Sequence, residues 1–139
     1  MEAIANKKYM VGDRVIADGE KSVILELRRT CAQVEPSFDL VEYGDIQPIP
    51  LTEEILEKNN FQRQEEERGF SEPFIVYVND DYRMSIKIYP KGIMDRYHHL
   101  YIGDYDDDPF ISLYINYVHE LQHALRLVGL DELADNLKV

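Results

Sequence analysis

His119-Glu120-Leu121-Gln122-His123 is the segment with the most specific chemical potential in this chain. On a helix, two imidazoles four residues apart share a face and can hold one zinc ion, and the glutamate between them can act as general base toward a metal-bound water. One reading is therefore a zinc metallopeptidase, with His119 and His123 as metal ligands and Glu120 as catalytic residue. A catalytic zinc takes a third protein ligand, and no third histidine follows His123. Asp131, Glu132 and Asp135 follow so closely that little chain is left for the second helix a zincin supplies. At roughly 100° per residue, His119 and His123 fall opposite the apolar stripe, with Arg126 between that pair and the stripe's edge, where its charge would oppose a dication. The expectation is a solvent-facing polar helix side, with no catalytic residue, no metal site and no cofactor.

The other chemistry-bearing residues point the same way. His98 and His99 are neighbours in a predicted strand and so project to opposite faces. His98 shares its face with Leu100 and Ile102, as a semi-buried, hydrogen-bonded residue would, whereas His99 lies beside Tyr97 and Tyr101. Asp104-Tyr105-Asp106-Asp107-Asp108 opens like a calcium loop, but Pro109 stands where that loop needs glycine and Ile115 where it needs glutamate. These acids read instead as a helix start, where negative charge is favoured. Cys31 is the single cysteine, which excludes an intrachain disulfide and a thiolate zinc site and suits a small buried apolar residue. Phosphate-binding glycine loops and the G-x-S-x-G elbow are absent.

Charge narrows the partners. Against 15 Lys plus Arg stand 27 Asp plus Glu, a formal charge of −12, so a polyanion would be repelled and direct nucleic-acid binding is not expected. An acidic, nucleic-acid-mimicking decoy is a further alternative, weakened by the scatter of the charge. With 139 residues, 45% of them hydrophobic, the chain suits one domain or two very small ones. The first residues include an acid at Glu2 and no apolar run, unlike a secretory signal, and no stretch approaches the ~20 apolar residues of a membrane span. No membrane partner is expected, and the default location is the cytoplasm.

Positioning these residues requires the following elements. Residues 1–47 read as a small β subdomain, an SH3-like barrel or a plain meander: Val15-Ile16, the Asp18-Gly19 turn, Val23, Leu25 and Leu27 alternating with Ile24, Glu26 and Arg28, then short runs about Ala32 to Val34 and Phe38 to Val41. Gln47-Pro48-Ile49-Pro50-Leu51-Thr52 marks a boundary, and residues 48–139 form an α+β subdomain. There Thr52 caps a short helix ending near Asn59-Asn60, and the acidic run 62–72 is a solvated connection. Three antiparallel strands follow, about Phe74 to Val78, Tyr82 to Ile88 and Tyr97 to Ile102. A long C-terminal helix over 109–128, capped by Asp108, opened by Pro109 and stopped by Gly129, covers them with Tyr114, Val118, Leu121, Leu125 and Val128. The fold class expected is thus α+β.

Two segments carry a resemblance. Ile46-Gln47-Pro48-Ile49-Pro50-Leu51-Thr52-Glu53-Glu54-Ile55 and Tyr117-Val118-His119-Glu120-Leu121-Gln122-His123-Ala124-Leu125-Arg126-Leu127 resemble the middle and C-terminal signatures of a family of small uncharacterised proteins from gut Bacteroidota and their phages or prophages. The resemblance implies a bacterial host cell. It also implies that the His119–Gln122 segment is a packing helix, in which glutamine can follow the first histidine and the second can be missing.

The function expected is that of a non-enzymatic phage- or prophage-type accessory protein, a module that binds a protein partner or itself. Ten tyrosines supply amphipathic contact residues for such a surface.

Overall fold

Asp18 and Gly19 both have positive φ, 50° and 82°, the mirror-image turn that matches the right-handed twist of two flanking strands. This turn joins β1 (Arg14–Ala17) to β2 (Glu20–Leu27), with Ala17 opposite Glu20. The computed structural model describes residues 9–64, 67–68, 73–88, 98–103 and 111–139. They divide into two compact units, one holding the chain up to Pro50 together with Tyr117–Leu137 and Val139, the other Leu51–Asn116 and Lys138.

In the first unit β3 (Cys31–Glu35) and β4 (Leu40–Glu42) continue the meander, a 3-10 turn (Tyr43–Asp45) reverses the chain, and β5 (Ile46–Pro48) returns to pair with β1. The antiparallel order is β4-β3-β2-β1-β5. Alternation buries Val15 and Ala17 on β1 and Ala32 and Val34 on β3. On β2 Ser22 and Ile24 are buried, in place of the Val23 and Leu25 face read from the sequence, and an irregularity in register between Ile24 and Glu26 brings the partly buried Leu27 against the core. Tyr9, Val41, Tyr43 and Ile46 complete the core, and the Tyr43 hydroxyl donates to the Arg28 carbonyl.

Helices α2 (Val118–Leu127) and α3 (Asp131–Asp135) belong to this unit; the first helix, α1 (Glu53–Lys58), lies in the other. Gly129, at φ +81°, ends α2: Leu130 N donates to Leu125 O and Gly129 N to Arg126 O, at 2.9 and 3.1 Å. These are the two bonds of a Schellman stop, which only a left-handed residue permits at low cost.

The second unit opens with α1 (Glu53–Lys58), whose first turn is capped by Thr52 Oγ1 accepting from Ile55 N at 3.3 Å. Asn59 follows and pairs its amide with the Lys138 backbone, donating to the carbonyl and accepting from the N–H, each at 2.8 Å. Strands β6 (Gln62–Arg63), β7 (Glu67–Arg68), β8 (Pro73–Asn79), β9 (Met84–Ile88), β10 (His98–Ile102) and β11 (Ile111–Ile115) form an antiparallel sheet in the order β11-β10-β9-β8-β6, with β7 also paired to β8. Leu56, Tyr77, Ile86 and Leu100 are among its fully buried side chains.

This corrects the expected fold class. The described residues are mostly β, with two antiparallel sheets and three short helices among them, where a three-stranded sheet under one long helix is expected from the sequence. Within the span 109–128, residues Ile111–Ile115 are strand, paired with β10 from Ile102↔Ile111 to His98↔Ile115, and the helix begins only at Val118. Ile111, Leu113 and Ile115 satisfy a period of two as readily as Tyr114 and Val118 satisfy a helical stripe, and the β10 ladder decides between them. Asp108 and Pro109 lie outside the described residues. Parts of the run 62–72 also join the sheet, as β6 and β7, because β8 offers them a ladder. Among the described residues no helix is long and apolar enough to cross a membrane.

Candidate functional site

Helix α2 starts where Glu120 reaches back, its Oε1 accepting from Tyr117 N at 3.1 Å. The carboxylate that a zincin would use as base is therefore occupied as a helix cap. One position earlier His119 is 2% exposed, its ring 5.1 Å from that of Tyr9 and 5.8 Å from that of Tyr117. Gln122, wholly buried, accepts from Arg14 N at 2.9 Å and donates to Gly12 O and Ala134 O at 3.0 Å each. One side chain thus ties together the entry to β1, α2 and α3.

His123 faces Asp13. Asp13 has no exposed surface, and its Oδ2 accepts from Met10 N at 2.7 Å and lies 2.7 Å from His123 Nε2. Its Oδ1 accepts from Arg126 Nη1 at 2.8 Å. An isolated buried carboxylate is costly, and two partner side chains plus a backbone N–H compensate this one. Arg126 also approaches Asp135 Oδ1 at 3.5 Å. Tyr9, buried beside this carboxylate, has its phenol pushed up to about 12, first by burial and then by the nearby Asp13 carboxylate.

These contacts correct the expected solvent-facing helix side. Of the expected stripe Val118, Leu121 and Leu125 are buried, whereas Tyr114 is an exposed strand residue and Val128 is half-buried, and the adjoining His119 and Gln122 are buried as well. The loop before β1 supplies polar partners that a wheel drawn from α2 alone cannot contain. The structure does bring His119 and His123 together, with rings 5.4 Å apart and edge to face, yet His123 Nε2 is engaged with Asp13. Among the described residues no three His, Cys, Asp or Glu side chains are grouped to hold a metal ion.

The strand histidines take separate roles. His98 is half-buried, its Nδ1 has no hydrogen-bond partner among the described residues, and burial pushes its imidazole below the ordinary value against the pull of Glu53. His99 has Nε2 2.7 Å from Ser112 Oγ and Nδ1 2.8 Å from the Tyr101 hydroxyl, and it stacks on Tyr114 at 4.4 Å. Burial, then the Lys87 charge, lowers its imidazole too. Cys31 is a half-buried thiol at the start of β3. The acids 104–108 lie outside the described residues.

Sequence reasoning missed a groove in the first unit of about 350 Å³, lined by Arg14, Lys21, Val23, Glu35, Pro36 and Phe38 among others. Phe38 sits in the β3–β4 turn at φ +61° and is 62% exposed. The signal was an aromatic residue straight after Pro36-Ser37, a turn sequence whose next residue reads only as the start of a strand. No family profile, curated protein or solved structure matches the chain.

Proposed function

We propose that this chain is a non-enzymatic protein-binding module of the bacterial cytoplasm, and that the groove of the first unit takes an extended, acidic segment of a protein partner with an apolar anchor. The observation that carries the reading is Phe38. A left-handed backbone costs a residue with a β-carbon roughly 1–2 kcal/mol, and here that cost holds an aromatic ring in solvent, where it adds nothing to the core. Burial of such a ring by a partner returns about 1.5–3 kcal/mol. Arg14 and Lys21 line the same groove against one acidic side chain, Glu35, in a chain whose net charge is −12, so the groove favours an acidic ligand that the remaining surface repels. The engagement of Glu120, Gln122 and His123 in capping and packing supports the non-enzymatic part of the reading.

Selection from a displayed random-peptide library, followed by fluorescence-polarisation titration of the enriched peptides, tests it. The expected result is enrichment of Asp- or Glu-containing peptides with an apolar anchor, bound more weakly by Phe38→Ala and by Lys21→Glu and more weakly at higher salt. Enrichment of no motif, or equal binding by both variants, rejects the reading.

A further inference from the structure

Among the described residues the two sheets end, along their main strand order, in β4, β5, β6 and β11, and the first three of these carry features that discourage edge-to-edge pairing. Strand β6 is two exposed residues long and includes Arg63; β4 is three residues long and includes Glu42; β5 ends in Pro48, which has no N–H to donate. Strand β11 has none of these. It is five residues long, Ile-Ser-Leu-Tyr-Ile, without charge, proline or glycine in a chain of which 30% is charged. Its only strand partner among the described residues is β10. Leu113 is 39% and Tyr114 66% exposed on it.

We propose that β11 pairs antiparallel with β11 of a second copy of this chain, joining two sheets edge to edge about a two-fold axis at Leu113. The sequence of the strand selects this occupant. An antiparallel repeat centred on Leu113 sets Leu113 opposite itself and Ser112 opposite Tyr114 on both sides of the axis, so apolar meets apolar and hydroxyl meets hydroxyl. No charge faces a like charge, although each copy carries −12. The exposed side of the strand is also ordered before pairing, because His99 bonds Ser112 at 2.7 Å and stacks on Tyr114, which lowers the entropy lost on association. This surface is separate from the groove and stands without it.

Sedimentation equilibrium from low to high micromolar concentration tests the proposal on the full chain. A monomer–dimer equilibrium is expected, tightening as salt screens the repulsion between two acidic copies. Leu113→Lys sets two cations against each other at the axis and weakens association by about tenfold or more. Hydrogen exchange of the unaltered protein gives a second measurement that needs no variant: backbone protection rises with concentration within Ile111–Ile115. A monomer at every concentration overturns the proposal. So does a dimer whose concentration-dependent protection lies elsewhere, or one that a folded Leu113→Lys protein forms equally well.

Discussion

His123 Nε2 and Asp13 Oδ2 lie 2.7 Å apart across 110 residues of sequence, and this contact ties helix α2 to the loop that enters β1. The same carboxylate binds Arg126 and the Met10 N–H, so the polar flank of the helix and the loop are each incomplete alone. One histidine of the segment that reads as metal chemistry is thus engaged by a buried carboxylate.

Asp13→Asn should destabilise the first unit severely. Arg126, whose side chain is only 14% exposed, would lose the nearer of its two carboxylate partners and keep only Asp135 at 3.5 Å, and breaking such a buried pair from one side costs about 3–5 kcal/mol. Urea unfolding followed by circular dichroism measures the change. A loss below about 1 kcal/mol, the range of exposed pairs, would show that the cluster is not a structural anchor.

Gly12 and Gly19 should respond differently to alanine. Both have positive φ, +90° and +82°, but a β-carbon at Gly12 would stand 2.9 Å from Arg126 Nη2 and 3.2 Å from Asp135 Oδ1, whereas one at Gly19 meets nothing within 4 Å. Gly19→Ala pays backbone strain of about 1–2 kcal/mol; Gly12→Ala adds displacement of the Arg126 guanidinium and should lower the thermal midpoint further. Equal midpoints for the two variants would contradict the packing described at Asp13.

Acid should weaken the second unit. The imidazoles of His98 and His99 are both lowered in the folded state, chiefly by burial, so below the ordinary histidine value the unfolded chain binds more protons than the folded one. Their contribution is therefore complete above about pH 6.5 and is lost as pH falls through the folded-state values. Thermal midpoints measured from about pH 7 down to about pH 5 should decline, and His98→Gln should flatten the slope. An identical slope in that variant would remove His98 from the explanation. Imidazole titration by NMR gives the same answer site by site.

Features governed by atoms within a few residues were legible in the sequence. The Asp18-Gly19 turn, the Thr52 cap and the Gly129 stop follow from φ preference and from short side chains reaching adjacent N–H groups, and each occurs at its expected position. The burial of Met84, Ile86 and Ile88 was readable as a period of two, but that of Ser85 between them was not, because only the surrounding tertiary structure covers the other face of the strand. Tertiary structure alone decided whether Ile111–Ile115 became strand or helix, because both periods fit and only the β10 ladder separates them. It also decided the face of His119, Gln122 and His123, whose partners Tyr9, Gly12 and Asp13 lie more than a hundred residues away in sequence. A polar helix face is solvated or buried according to whether distant donors and acceptors complete its hydrogen bonds, and local sequence does not contain those groups.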